Sequence, residues 1–217
     1  REITLTRARV TRPIVASDIR EADGRKIGVV RLATFATGAH GEVNKALKNL
    51  LREGAKGFVL DLRGNGGGLV NEAQLVTSQF LEDGVVVSTR GRAVDERTLE
   101  TQGEAAVPRA PLVVLVDRNT ASAAEIVTGA LQDQERAEVV GTRTFGKGVF
   151  QQVIELSNGG ALDITAGQYF TPDGRNLGGQ GVRTGTGIEP DIRASDEPDT
   201  KRDEGLDRAL EVVAGEL

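Results

Sequence analysis

Two short runs, Gly57-Phe58-Val59-Leu60-Asp61-Leu62 and Pro111-Leu112-Val113-Val114-Leu115-Val116-Asp117, are apolar at almost every position. A strand with one wet face alternates polar and apolar residues; a strand apolar throughout is covered on both faces. Around these runs lie segments with helical spacing of apolar residues. Residues 42–51 place Val43, Ala46, Leu47, Leu50 and Leu51 on one stripe, and 69–81 and 121–132 read as further helices. Buried strands alternating with helices predict an α/β fold with a mainly parallel sheet flanked by helices.

Further strands are expected over 27–35, 85–89 and 138–140, with an N-terminal strand over 1–10. Residues 149–156 and 160–170 read as a β-hairpin turning at Ser157-Asn158-Gly159-Gly160. The polar stretch 91–110 reads as a loop or flap, and 203–213 as an amphipathic helix behind a charged linker, 195–202. The chain divides into an N-terminal strand segment (1–26), a core (27–194) and a linker with terminal helix (195–217). Aromatics are scarce, with six Phe, one Tyr and no Trp, so Val, Leu, Ile and Ala must build the core.

The net charge of -5 comes with basic residues spread along the chain, which disfavours a nucleic-acid partner. No apolar run approaches the roughly 18 residues that span a bilayer. The chain has no cysteine and a single histidine, His40, in a stretch that reads as a surface loop. Metal ligation therefore has little support. The same scarcity limits nucleophilic chemistry: a serine nucleophile here has lysine as its most plausible base.

The run Asn119-Thr120-Ala121-Ser122-Ala123-Ala124-Glu125 places a serine at the opening of a helix. Partial positive charge at a helix start favours an alkoxide, and the Ala123 amide is free to donate to an oxyanion. A second donor is available in the Gly66-Gly67-Gly68 loop, which leaves the end of the first buried strand. The competing reading is structural, because Ser-Ala-Ala-Glu is also a capping box, the commoner use of that spacing.

Lys147 lies in Gly146-Lys147-Gly148, flanked by Phe145, Val149 and Phe150. A lysine must shed its proton to act as a base, and apolar surroundings favour the neutral amine. On a regular strand Lys147, Val149 and Gln151 share a face, so the Gln151 side chain can fix the amine's direction. The alternative is an exposed lysine in a glycine-rich turn, where most lysines belong. Residues 141–148 also match most of a phosphate-binding loop. They lack its final hydroxyl residue, and a strand pattern follows instead of a helix. Asp61 and Arg63 read as a strand-end ion pair.

Taken together, these blocks resemble the C-terminal processing (tail-specific) proteases. The resemblance rests on Asp61-Leu62-Arg63-Gly64-Asn65-Gly66-Gly67-Gly68, residues 119–126, residues 141–148 and Gln151. Tyr169-Phe170-Thr171-Pro172-Asp173-Gly174-Arg175 and Gly187-Ile188-Glu189-Pro190-Asp191 also match, all in family order. It implies a crotonase-like core, a serine endopeptidase acting through an acyl-enzyme, and no metal or organic cofactor. It makes Ser122 the nucleophile, Lys147 the general base, Gln151 the residue that positions it, and Ala123 with Gly67 or Gly68 the oxyanion donors. The implied partners are protein or peptide substrates with accessible C-termini, and the implied location is extracytoplasmic, in the periplasm or cell envelope. Membrane association and a homo-oligomer stay open.

The family carries a PDZ domain ahead of this core. Residues 1–26 read as the junction with it, so the chain reads as a core without that domain. Two other functions stay in view at this point. One is a catalytically silent peptide-binding or regulatory module of the same fold; the other is an acyl-CoA enzyme that uses the glycine loop for a thioester.

Overall fold

A computed structural model describes residues 13–92, 94–178, 182–197, 200 and 202–217. The two apolar runs are β3 (Gly57–Asp61) and β6 (Leu112–Val116), and every residue of both is buried. They pair in parallel at the centre of a six-stranded sheet. β2 (Arg25–Leu32) continues the sheet in parallel beside β3, and β7 (Glu138–Gly141) does so beside β6. The edges are β1 (Val15–Ala22), antiparallel to β2, and the two-residue β10 (Ile192–Arg193), parallel to β7.

Alternation along the strands divides two cores. Phe58 and Leu60 point with Leu112 and Val114 into the larger one, packed with α1 (Ala39–Arg52), α2 (Val70–Thr77) and α3 (Ala123–Asp133). Val59, Val113 and Leu115 point the other way, onto Ala209, Leu210 and Val213 of α4 (Glu204–Gly215). Gly57 lets that helix come close: a Cβ there would sit 2.3 Å from Cγ1 of Val213. The expectation of a parallel sheet covered on both faces therefore holds for the central strands.

A second, antiparallel sheet has the order β5–β4–β9–β8, formed by β4 (Val85–Arg90), β5 (Arg97–Glu100), β8 (Val149–Glu155) and β9 (Ala161–Phe170). The expected hairpin is β8–β9. Its far end stands clear of the core, with Val153 65% exposed.

Three expectations need correction. The stretch taken as a loop or flap contains β5, whose charged residues hide its strand character. His40 is not a loop residue but sits in the first turn of α1, where Gly38 at φ 88 opens the helix. β1 was not expected, because only Val15, Ile19 and Ala22 in it are half-buried. The N-terminal strand expected over 1–10 lies outside the described residues. No described helix is long and apolar enough to cross a membrane.

Candidate active site

β6 ends at Val116, and five residues, Asp117 to Ala121, carry the chain to the helix-opening serine. Oδ1 of Asp117 shapes a turn there by accepting the amides of Asn119 and Thr120 at 2.9 and 3.0 Å. Ser122 then takes φ 57, ψ -119, an unusual backbone for a residue with a side chain. α3 begins at the next residue. The spacing of a capping box is present, and Oε2 of Glu125 accepts the Ser122 amide at 2.8 Å. The Glu125 amide donates to the Ser122 carbonyl at 2.8 Å and also faces the serine hydroxyl, so both halves of the box are in place. That hydroxyl sits on a half-buried residue at the mouth of the helix.

The glycine loop leaves β3 beside this turn, and three bonds stitch the two together. Asp117 Oδ1 accepts the Gly64 amide at 3.0 Å, Thr120 Oγ1 donates to the Leu62 carbonyl at 2.9 Å, and the Ala121 amide donates to the Asn65 carbonyl at 2.9 Å. Asn65 is wholly buried. Its side chain donates to the Leu32 carbonyl at 2.9 Å and accepts the Gly67 amide at 2.9 Å.

These bonds sort the glycines. Gly67, at φ 98, gives room: a Cβ there would stand 2.8 Å from the Ala121 carbonyl oxygen, 2.9 Å from the Ala123 nitrogen and 2.9 Å from Cβ of Ser122. Its own amide is used by Asn65. Gly68 bridges to Phe35 through its neighbours, with the Phe35 amide on the Gly67 carbonyl and the Leu69 amide on the Phe35 carbonyl. Among the described residues, no acceptor takes the amides of Gly68 or Ala123. Those two amides have the chemistry of an oxyanion-binding pair.

The Lys147 segment joins the same centre through Glu125. This carboxylate is wholly buried. Oε1 accepts the Thr144 hydroxyl at 2.6 Å and the Gly146 amide at 2.7 Å; Oε2 accepts the Ser122 amide and the Lys147 amide, at 2.8 and 2.9 Å. Four donors satisfy a group that would be costly to bury unpaired. Because Ser122 and Lys147 donate to one oxygen, their backbones lie less than two hydrogen-bond lengths apart. The Phe145 amide adds a bond to the Thr120 carbonyl at 2.9 Å. Ser122, Ala123, Gly67, Gly68 and Lys147 are thus brought together.

Gln151 is not joined to Lys147 by any hydrogen bond among the described residues. It is exposed on β8, just past a slip in the β8–β9 register. There it lines a cavity of about 520 Å³ with Val70, Leu99, Phe150 and Tyr169. Burial pushes the Tyr169 phenol in this wall up to about 12.

Sequence reasoning missed Glu125 as the bridge between segments, although its spacing from Ser122 was noted as a cap. It also missed Asn65 and Asp117 as organisers of the loops. His40 has a partner: Nδ1 lies 2.8 Å from Oε2 of Glu72, a buried residue of α2. Burial pushes the Glu72 carboxyl upward, but the His40 and Gly38 amides and the His40 ring outweigh it and hold the group below the usual carboxylate range.

The family model for Peptidase family S41 matches residues 26–194. A carboxyl-terminal-processing protease of Synechocystis sp. is 37% identical over 215 residues, covering 99% of this chain and 50% of that protein. Carboxyl-terminal-processing peptidase 1, chloroplastic, of Arabidopsis thaliana is 40% identical over 168 residues, covering 77% of this chain and 33% of that protein. Among solved structures, a photosystem II D1 C-terminal processing protease aligns with a TM-score of 0.78 at 33% identity, covering 93% of this chain and 53% of that one. The chain spans about half or less of the length of these relatives.

Proposed function

The chain belongs to peptidase family S41, a family of serine-type peptidases, and on that premise we propose that it cleaves protein substrates near their C-termini through an acyl-enzyme. Ser122 Oγ attacks the scissile carbonyl while the Lys147 amine takes its proton. The oxyanion that forms is held by the Ala123 and Gly68 amides. The C–N bond then breaks, and Lys147 returns the proton to the leaving amine. Water adds to the acyl ester, again giving a proton to Lys147; the ester C–O bond breaks, and the Ser122 oxygen recovers that proton. Every proton passes through one amine, and no metal or organic cofactor takes part.

Gln151 is the residue we assign to orient the Lys147 amine, which requires its side chain to turn from the cavity that it lines. Gly67 supports the reaction by the space it leaves and not by a donor, since its amide is bound to Asn65.

The observation that carries this reading is the shared Glu125 oxygen. It draws the amides of the proposed nucleophile and the proposed base to one point, beside two unclaimed amides. A capping glutamate alone would need only the Ser122 end.

We read the core, residues 27–194, as crotonase-like. The parallel sheet, the glycine loop at the end of β3 and the helix-opening serine support that reading. Residues 1–26 remain the proposed junction with a PDZ domain, and 195–217 the linker and terminal helix. As the family resemblance implies, we infer an extracytoplasmic location.

The test is direct. Ser122→Ala and Lys147→Ala should each abolish peptide hydrolysis and leave the melting temperature unchanged. A serine-directed fluorophosphonate should label Ser122 in the unsubstituted protein alone. Turnover in Lys147→Ala at the unsubstituted rate would remove the dyad; an active protein unlabelled at Ser122 would remove the nucleophile.

A further inference from the structure

Arg63 stands between the end of β3 and the glycine loop, with its side chain 15% exposed. Its guanidinium makes two forks, and Nη1 also lies 3.5 Å from Oδ2 of the half-exposed Asp196. One fork goes to Asp61, the last residue of β3: Nε to Oδ1 at 3.0 Å and Nη2 to Oδ2 at 2.9 Å. The second goes to Asp203: Nη1 to Oδ1 at 2.7 Å and Nη2 to Oδ2 at 2.9 Å. Asp203 is the N-cap of α4, where Oδ1 also accepts the Leu206 amide at 2.9 Å. α4 lies on the face of the sheet opposite α3, the helix that Ser122 opens. The start of a helix on one side is therefore bolted to the residue that launches a loop serving the other.

Ending β3 does not require this second fork. The Asp61 carboxylate already closes the turn, accepting the Arg63 amide at 3.0 Å as well as its guanidinium. A second carboxylate from a distant helix, its side chain 45% exposed, is superfluous for a strand end. The loop it anchors is a different matter. Residues 64, 66, 67 and 68 are all glycine, the residue with the most backbone freedom to lose. Two planar forks are the most direction-setting contact available to fix where such a loop begins.

We propose that Asp203 is a positioning residue for the oxyanion site: gripping Arg63 from α4, it fixes the backbone that presents the Gly68 amide beside Ala123. The proposal rests on the peptidase reading above, and its test separates the two. Asn caps a helix about as well as Asp, so Asp203→Asn keeps the cap of α4 and loses the charged fork.

Hydrogen exchange on the two proteins reads the clamp without any catalysis. Amides of residues 64–68 in Asp203→Asn should exchange about tenfold faster, while α4 exchanges as before. Peptide turnover reads the consequence: kcat should fall about tenfold with KM little changed, since an oxyanion contact matters in the transition state. Arg63→Lys, which keeps the charge and loses the forks, should behave in the same way. Unchanged loop exchange in both variants would overturn the clamp, whatever the activity. Faster loop exchange with unchanged kcat would overturn its positioning role. Absence of hydrolysis in the unsubstituted protein would defeat the peptidase reading, and the positioning role with it, while the exchange result still stands.

Discussion

Gly67→Ala would strike the point where the glycine loop meets the nucleophile turn. A methyl group there would enter at 2.8–2.9 Å from the Ala121 carbonyl oxygen, the Ala123 nitrogen and Cβ of Ser122. None of these is the end of a flexible side chain. The first turn of α3 or the whole loop must move, and overpacking of this kind costs about 1–3 kcal/mol. The backbone at φ 98 adds about 1–2 kcal/mol for any residue with a Cβ.

Together these predict a loss of about 2–5 kcal/mol, or a melting temperature roughly 4–20 °C lower for a chain of this size. The same movement separates the Ala123 and Gly68 amides, so kcat should fall by about 10²–10³. Gly64→Ala is the matched control. It also has positive φ, at 69, but nothing lies within 4 Å of its Cβ position. Its cost should be about 1 kcal/mol, with turnover near that of the unsubstituted protein. Thermal melting and hydrolysis of a fluorogenic peptide measure both quantities. If Gly67→Ala melts and turns over as Gly64→Ala does, the close approach of the two loops is not what the site depends on.

Glu125→Gln would turn an –NH₂ toward two of the four donors that converge there. Each hydrogen bond to the lost charge contributes about 1.5–3 kcal/mol, so both the urea midpoint and kcat should drop; an unchanged kcat would show that the bridge does not align the dyad. Acid should also weaken the fold. Glu72 and Asp203 are both held below the usual carboxylate range, Asp203 chiefly by the Arg63 hydrogen bonds. Their contribution is complete above that range, near pH 4, and is lost as pH falls through their lower folded values. Melting temperatures from pH 7 down to 3 should fall at the acid end, and Glu72→Gln should flatten part of the fall; a level profile would contradict the assignment.

β3 and β6 were legible because a strand buried on both faces has no polar positions to confuse the pattern. β1 and β5 were not, because each lies at or near a sheet edge and its residues are mostly wet; Arg97-Thr98-Leu99-Glu100 has one half-buried side chain. His40 was misread because two flanking glycines resemble a loop, whereas Gly38 opens α1 and Gly41 lies within it.

At the site, the serine and lysine segments could be found by spacing. The division of labour among Gly66, Gly67 and Gly68 could not, since three successive glycines are identical until Asn65 takes the amide of one of them. Glu125 shows the same limit: Ser-x-x-Glu describes the cap, and only the tertiary fold brings Thr144, Gly146 and Lys147 to the same carboxylate. Gln151 depends on how β8 pairs with β9, a register that periodicity alone does not fix.

α4 has a consequence for biosynthesis. It follows every strand in chain order, yet it covers Ile27, Val29, Val59, Val113 and Leu115. A ribosome therefore delivers all six strands of the large sheet before the apolar flank that α4 conceals can be closed. During that interval the nascent chain carries an open greasy surface, the kind of intermediate that chaperones hold and that clumps when they do not.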